Sequence, residues 1–95
     1  RKAAEEAEDR RRGFHCLSPW NGSHRAFANL AKDQLRNPKS FEHIETRVWP
    51  VNPEGRHTIM MTFRAENGFG GLDVEQAVGF YDHESCAPTL ERFKE

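Results

Sequence analysis

Two cysteines and three histidines are of the types that form a cross-link or hold a metal ion. Cys16 follows His15 near the start of the chain, and Cys86 ends the sequence HESC, which begins at His83. Zn²⁺ takes thiolate and imidazole ligands, so the cysteines, His83 and either His15 or His24 form a possible Cys2His2 set. The spacing is unlike that of a zinc finger, because one half lacks a C-x2-C or H-x3-H pair. We therefore predict no metal ion and no cofactor, and keep a zinc module as an alternative.

A disulfide is the other chemistry open to Cys16 and Cys86, and we predict that they pair. The bond would close a long loop, for which the chain-entropy account gives a stabilisation on the order of 4 kcal/mol. That is large for a chain of 95 residues, whose core is small. Disulfides persist in oxidising compartments, so this pairing goes with a location outside the cytoplasm. Two free, buried thiols are the alternative.

Catalytic arrangements are few in this sequence. Cys16 with His15 or His24 could act as a thiol nucleophile and its base. Ser23 directly precedes His24, which makes a neighbouring pair rather than a Ser-His-Asp triad. We predict that the chain is not an enzyme and assign no catalytic residue.

One amphipathic helix is predicted over residues 23–38, in the sequence SHRAFANLAKDQLRNP. Its apolar residues recur at helical spacing and define one face, made of Phe27, Leu30, Ala31 and Leu35. Asn37 and Pro38 end the helix, because the residue before a proline leaves the helical region. A side-chain oxygen before the helix could cap it, with Ser18, Asn21 and Ser23 as candidates.

Three strands follow the helix, and a fourth is predicted at the end of the chain. Residues 40–51 and 56–66 are joined by a turn at 52–55 and form an antiparallel hairpin. The first of these strands alternates, with one side made of Ile44, Thr46 and Val48. The second has one face that forms the predicted core with the helix, made of His57, Ile59, Met61, Phe63 and Ala65. The third covers 72–82 and has Val74, Val78 and Phe80 on one face, and residues 87–93 form a short edge strand.

This order of elements predicts an α+β fold, in which one N-terminal helix packs on a three- to four-stranded antiparallel sheet. Residues 13–95 form this single small domain. Residues 1–12, RKAAEEAEDRRR, have no apolar stripe and are predicted to be a charged, partly helical stalk or linker. The chain starts at Arg1 without a methionine, so we expect a fragment whose missing N-terminus holds a signal peptide or an anchor.

Two short motifs resemble those of a small domain of uncharacterised bacterial proteins, found in predicted lipoproteins and in secreted or membrane-anchored proteins. The first is NPKSFEH at 37–43, of the form N-P-x-S-F-x-H, and the second is RAENGFGG at 64–71, of the form R-x-x-N-x-F-G-G. The resemblance implies an extracytoplasmic location and brings no established activity. It also implies that the motifs lie together, with Arg64 and Asn67 bonded to the corner at 38–41 as a structural clamp rather than a ligand site.

The sequence FRAENGFGG at 63–71 is predicted to form a turn or bulge between two strands. Its glycines suit positive φ angles. A phosphate-binding loop would need a helix after the glycines, and the G-x-G-x-x-G spacing is not matched. Phe69 at the turn either folds back onto the core or stands exposed as a binding anchor.

Composition narrows the class of partner. A net charge of −1 disfavours a nucleic-acid binder, and no apolar run approaches the roughly 18–20 residues needed to cross a bilayer. We predict a non-enzymatic, extracytoplasmic binding or accessory domain that recognises a protein or envelope partner, such as a membrane complex, and meets the membrane only through a missing N-terminal anchor. The predicted binding surface comprises Phe69, Trp49, Tyr81, Arg47 and Arg64. The alternative is a small inhibitor protein that blocks an enzyme.

Overall fold

The structure, a computed structural model, describes residues 2–94, with side chains from residue 7 to residue 94. Within these residues the chain forms two α-helices and four strands: α1 (Lys2–Arg12), α2 (Arg25–Asp33), β1 (Glu42–Val48), β2 (Arg56–Glu66), β3 (Leu72–Asp82) and β4 (Pro88–Lys94). Phe14–Cys16 and Pro38–Ser40 form short 3-10 turns. The strands make one antiparallel sheet in the order β1-β2-β3-β4. An α+β fold with a small antiparallel sheet is thereby confirmed.

Helix α1 occupies residues that the sequence predicts as a charged, partly helical stalk. Glu8 forms ion pairs with Arg11 (2.7 Å) and Arg12 (2.8 Å), one turn further on. Exposed pairs of this spacing support a helix by only about 0.2–0.5 kcal/mol each. The predicted single helix is therefore one of two in the described part of the chain. Neither of these two helices has the length and apolar character to span a membrane.

Helix α2 begins at Arg25 and is capped by His24, not by any of the predicted hydroxyl or amide side chains. His24 Nδ1 accepts a hydrogen bond of 3.2 Å from the backbone N–H of Phe27. An imidazole nitrogen thus satisfies one of the free N–H groups of the first turn. The helix ends at Asp33, a few residues before the predicted end.

The core lies between α2 and one face of the sheet. The alternation predicted for β2 is confirmed, since all five inward residues are buried: His57, Ile59, Met61, Phe63 and Ala65. Phe27 and Ala31 of α2 are fully buried and belong to the same apolar cluster. Helix and sheet therefore share one core.

Strand β3 directs two small residues toward this core. Ala77 and Gly79 are buried, while the predicted apolar face of Val74, Val78 and Phe80 lies on the outer side of the sheet. A Cβ at Gly79 would come within 2.9 Å of the Phe27 ring and would collide with the carbonyl oxygen of Thr89. Small residues on this side let helix α2 approach the strand closely, so hydrophobicity alone identifies the wrong face as buried.

Tyr81 shares the inward face of β3 and is fully buried. Its assignment to the binding surface is therefore wrong for the described structure. The physical reason is the alternation of the strand, because Tyr81 lies two residues after Gly79 and must point to the same side.

Strand β1 contains a bulge that breaks its predicted alternation. The register passes from His43 opposite Phe63 to Glu45 opposite Thr62, so Ile44 has no partner in the ladder. Ile44 is 46% exposed instead of sharing the inward side of the strand. An extra residue in one strand shifts every side chain after it by one position, which the sequence pattern of β1 does not show.

Candidate functional site

Three histidines from distant parts of the chain meet at one end of the sheet and form what we call the histidine cluster. His15 lies in the 3-10 turn after α1, His57 lies at the start of β2, and His83 lies in the turn between β3 and β4. The ring centroids are 5.8 Å apart for His15 and His57, 5.1 Å for His15 and His83, and 5.0 Å for His57 and His83. One ring nitrogen from each lies within 4.8 Å of the others.

The disulfide between Cys16 and Cys86 brings two of these histidines together. The predicted bond is present, with the Cα atoms 5.6 Å apart, and the described residues include no free cysteine. His15 precedes Cys16 directly, and His83 lies in the same turn as Cys86, so the bond joins the 3-10 turn to the β3–β4 turn. Because both sulfur atoms are used, the free-thiol alternative and the Cys2His2 zinc set do not apply to this structure.

Gly13 allows the chain to approach His57 closely. Its φ of 88° lies in the left-handed region, and its carbonyl oxygen accepts a 2.8 Å hydrogen bond from the Tyr81 hydroxyl. A Cβ at this position would collide with that hydroxyl and would lie 2.7 Å from His57 Nδ1. Any side chain at position 13 would therefore displace the turn that carries His15.

Backbone carbonyl groups fix the tautomers of two members of the cluster. His57 Nδ1 lies 3.0 Å from the carbonyl oxygen of Trp49, and His15 Nε2 lies 2.7 Å from that of His83. A carbonyl oxygen only accepts, so each of these nitrogens carries the hydrogen and donates it. In the neutral rings, the lone pairs are then on His57 Nε2 and His15 Nδ1.

These two lone pairs have different surroundings. His57 Nε2 lies 2.8 Å from His83 Nδ1, from which it accepts a hydrogen bond. His15 Nδ1 is buried and has no hydrogen-bond partner among the described residues. A buried polar atom without a partner costs about 1–3 kcal/mol, so His15 Nδ1 is the least satisfied atom of the cluster.

The electrostatics favour an uncharged ring at the centre of the cluster. Burial lowers the pKa of His57 most strongly, the hydrogen bond to the Trp49 carbonyl opposes this shift, and the nearby His83 and His15 lower the pKa further. His57 is therefore neutral at pH 7 and keeps its lone pair. A cavity of about 340 Å³ opens beside the cluster and is lined by Asp9, Arg10, Phe14 and His15.

His24 lies outside the cluster, and both of its ring nitrogens are engaged. Nδ1 caps helix α2, and Nε2 lies 2.7 Å from the carbonyl oxygen of Cys86. Ser23 donates its hydroxyl hydrogen to Asn21 Oδ1 at 2.7 Å. The pairs of Cys16 with His24 and of Ser23 with His24 are thus not arranged as a nucleophile and a base.

His57 is a candidate functional residue that sequence reasoning missed, because the strand pattern identifies it only as a core residue. It is the one polar residue among the inward side chains of β2. A buried polar side chain requires hydrogen-bond partners, and this requirement is the signal in the sequence that could have identified it. Its partners come from distant segments, so their identity depends on the tertiary fold.

The predicted binding surface does not form one patch. Tyr81 is in the core, while Trp49 is 46% exposed and Phe69 is 100% exposed. The backbone N–H of Trp49 bonds to the carbonyl of Thr58, whereas Phe69 follows the far end of β2 at Glu66. The strand from Thr58 to Glu66 is about 26 Å long at the usual rise per residue, so one small contact cannot include both aromatic residues.

The two arginines of the predicted surface, Arg47 and Arg64, also lie at opposite ends of the sheet. Arg47 lies toward the tryptophan end of β1 and forms an ion pair with Glu45 at 3.1 Å. Arg64 lies toward the other end, where its Nη1 atom is 4.0 Å from Glu42 Oε2. Trp49 and Phe69 therefore each have one arginine at their own end of the sheet.

Asn67 fixes the backbone of the turn between β2 and β3. Its Oδ1 atom accepts hydrogen bonds from the backbone N–H groups of Phe69 (2.8 Å) and Gly71 (3.0 Å), and its own N–H donates to the carbonyl of Gly71 (2.8 Å). Gly70 has a φ of 83°. The predicted strand-to-strand turn with a glycine at positive φ is confirmed, and the Phe69 side chain lies in solvent rather than on the core.

The turn between β1 and β2 has the same construction, with Asn52 as the acceptor. Asn52 Oδ1 accepts hydrogen bonds from the backbone N–H groups of Glu54 (3.0 Å) and Arg56 (2.9 Å), and Gly55 has a φ of 78°. Glu54 thus occupies the position that Phe69 has in the other turn. A turn of this geometry does not require an aromatic residue at that position. The formation of the turn therefore does not explain why residue 69 is a phenylalanine.

The two resemblance motifs meet through Ser40 and Glu66. Ser40 Oγ accepts a hydrogen bond from the backbone N–H of Glu66 (3.0 Å) and donates one to the carbonyl of Asn37 (2.7 Å). Asn37 Nδ2 donates to the carboxylate of Glu66 at 3.2 Å. The predicted clamp of Arg64 and Asn67 on this corner is not the one that the described residues form. Arg64 lies 4.0 Å from Glu42, and Asn67 bonds within its own turn.

No protein-family model, curated protein or solved structure matches this chain.

Proposed function

We propose that this chain is a non-enzymatic, extracytoplasmic binding domain that recognises a protein partner through the tip of the β2–β3 hairpin. Phe69 carries this proposal, because its side chain is fully exposed while Asn67 holds its backbone in place. An aromatic residue on a rigid turn loses little further freedom on binding. Aromatic side chains also supply much of the binding energy of protein interfaces.

Two residues of β3 extend the apolar surface next to this turn. Leu72 is 60% exposed and Val74 is 57% exposed, and alternation places both on the outer face of the strand. Together with Phe69 they form what we call the hairpin-tip patch. Exposed apolar side chains that are grouped in this way are typical of interaction sites, whereas isolated ones are common on any surface.

Two arginines beside the hairpin-tip patch indicate the chemistry of the partner. A Cβ at Gly68 would lie 3.2 Å from Arg36 Nη1, so that guanidinium lies against the turn. Arg36 forms no ion pair with any residue that the structure describes, and Arg64 is only within 4.0 Å of the exposed Glu42. The surface therefore fits a protein with an apolar pocket for Phe69 and carboxylates at its rim.

The disulfide supports the proposed location. A Cys16–Cys86 bond is compatible with an oxidising compartment, since such bonds are rare in the reducing cytosol. Helix α1 would serve as a charged spacer on the N-terminal side of the sheet. The compartment is independent of the identity of the partner.

The decisive experiment measures the binding of a purified partner. A photo-crosslinking amino acid at position 69 captures the partner in the cell envelope, and its affinity is then measured for the wild type and for Phe69→Glu. This variant copies the β1–β2 turn, where Glu54 stands at the same position, so we expect unchanged thermal stability and binding weakened by about tenfold or more. Trp20→Ala is the control, because Trp20 is 93% exposed and lies outside the hairpin-tip patch.

Equal affinity of Phe69→Glu and the wild type would contradict the proposal. Binding to phospholipid vesicles but to no protein would replace the protein partner with a membrane surface. A captured enzyme that loses its activity on binding would make the chain an inhibitor instead of an accessory domain.

A further inference from the structure

We propose that His15, His57 and His83 bind one divalent late transition-metal ion, with Zn²⁺ as the first candidate. Three imidazoles from three separate segments converge with a ring nitrogen of each within 4.8 Å of the others. Three histidines with one further position for water are an established ligand set for Zn²⁺ in proteins. This inference is independent of the proposed protein partner, whose surface lies at the opposite end of the sheet.

The hydrogen bonds of His15 and His57 are those of metal ligands. A metal-binding histidine almost always donates its second ring N–H to a carboxylate, a carbonyl or water, which orients the ring and fixes the tautomer. His15 Nε2 does so to the carbonyl of His83, and His57 Nδ1 does so to the carbonyl of Trp49. The remaining nitrogens, His15 Nδ1 and His57 Nε2, then both have lone pairs for an ion.

His83 can supply the third lone pair by a change of tautomer. In the structure, its Nδ1 lies 2.8 Å from His57 Nε2, which is a hydrogen-bond distance. Moving the hydrogen of the ring from Nδ1 to Nε2 frees the Nδ1 lone pair without changing the charge of the ring. Ligand nitrogens around a tetrahedral Zn²⁺ lie about 3.3 Å apart, so the two rings need to separate by only about 0.5 Å.

His15 gives an independent reason to expect an ion. Its Nδ1 is buried without a hydrogen-bond partner in the described part of the chain. If the cluster were only a packed group of core side chains, this atom would remain an uncompensated cost. Coordination to a metal ion would satisfy it.

The surroundings bring solvent close to one ligand and restrict the type of ion. His15 lines a cavity of about 340 Å³ together with Asp9, Arg10 and Phe14. Cys16 and Cys86 are oxidised, so the site offers imidazole nitrogen and no thiolate. Imidazole ligands suit Zn²⁺, Cu²⁺ and Ni²⁺, while Mg²⁺ and Ca²⁺ prefer oxygen.

The experiment titrates ZnCl₂ into the untagged, oxidised chain after treatment with EDTA, using calorimetry and native mass spectrometry. We expect one Zn²⁺ per chain in the wild type and a lower affinity in His83→Gln. The loss should reach at least the roughly 10–100-fold that removal of an outer-shell partner costs, because this variant lacks a ligand itself. His43→Gln is the matched control, because His43 bonds to Thr46 and lies outside the cluster. Its affinity should equal that of the wild type. A wild type that binds no stoichiometric Zn²⁺, or a His83→Gln variant that binds as tightly, would overturn the proposal.

A second measurement needs no variant and therefore does not depend on whether His83→Gln folds. Two-dimensional ¹H–¹⁵N spectra of the imidazole rings follow each histidine of the wild type during the titration. The ring nitrogens of His15, His57 and His83 should shift with a stoichiometry of one, while those of His24 and His43 should not. Shifts confined to His24 or His43 would place the ion elsewhere and overturn the proposal.

Discussion

The hydroxyl of Tyr81 donates a hydrogen bond of 2.8 Å to the carbonyl oxygen of Gly13, and this contact is buried. It ties strand β3 to the residue that directly precedes the 3-10 turn of His15. The Tyr81 ring also stacks on His57, with centroids 5.0 Å apart. Tyr81 thus packs against the histidine cluster and helps to hold it in place. The sequence predicts a different role, as part of the binding surface.

Replacing Tyr81 with phenylalanine should reduce stability without changing partner binding. Burial raises the pKa of Tyr81, so the hydroxyl is protonated and remains a donor at all ordinary pH values. Tyr81→Phe keeps the ring but leaves the Gly13 carbonyl unpaired, and we expect the free energy of unfolding to fall by about 1 kcal/mol. Urea denaturation of the oxidised protein measures this change. An unchanged midpoint would show that the hydrogen bond adds nothing to the folded state.

Removing the disulfide should affect stability and metal binding together. The bond closes a loop with a sequence separation of 70, and its loss should lower the free energy of unfolding by about 4 kcal/mol on the chain-entropy account. The double variant Cys16→Ser with Cys86→Ser is preferable to reduction, because free thiols would themselves bind Zn²⁺. Denaturation and zinc titration of this variant measure the two effects.

The same variant tests whether the disulfide assembles the histidine cluster. His15 reaches His83 through the 3-10 turn that Cys16 holds, so zinc affinity should fall along with stability. If the variant is folded and binds zinc as tightly as the wild type, the cluster forms without the cross-link. The predicted dependence of the histidine cluster on the disulfide would then be wrong, although the proposed metal site would not be contradicted.

His24 should make the protein less stable in mild acid. Burial lowers the pKa of His24 in the folded state, although its hydrogen bond to the Cys86 carbonyl opposes the shift. In the unfolded chain the imidazole has its ordinary pKa of about 6.5. Below that value the unfolded state binds more protons than the folded state, so this contribution is complete above pH 6.5 and declines as the pH falls toward the folded pKa.

The variant His24→Asn isolates this effect, because asparagine is itself a good helix cap. It should lower stability at pH 7.5 through the lost bond to Cys86, and it should flatten the decline of stability between pH 6.5 and pH 5. The pKa values of His43 and His57 are also lowered by burial, so part of the wild-type decline should remain. Denaturation curves at several pH values, recorded with EDTA, compare the two slopes. Identical slopes would assign the acid sensitivity to other groups.

Local signals in the sequence predict the limits of the strands well and the histidine cluster only in part. The limits of β2 and β3 are visible because strict alternation is bounded by asparagine and glycine turns, which act over a few residues. The inward face of β3 is not visible, since it depends on how closely Phe27 approaches Gly79 across the core. The cluster depends on contacts between residues far apart in the chain. Only the predicted Cys16–Cys86 pairing indicates that His15 and His83 lie close together.

The β1–β2 and β2–β3 turns have the same construction and can be weakened in the same way. Asn67→Ala removes the acceptor that orders the β2–β3 turn, and Asn52→Ala removes the equivalent acceptor of the β1–β2 turn. Each change should lower the free energy of unfolding by about 1 kcal/mol, which corresponds to a decrease in Tm of about 4–8 °C for a domain of this size.

Binding should separate these two variants. Phe69 remains in Asn67→Ala, but its backbone is no longer held, so part of the binding energy must order the turn and the affinity for the partner should fall. The loss should be smaller than in Phe69→Glu, where the aromatic contact itself is absent. Asn52→Ala should bind normally, because its turn presents Glu54 at the other end of the sheet. Equal losses in both asparagine variants would mean that general destabilisation, rather than the presentation of Phe69, controls binding.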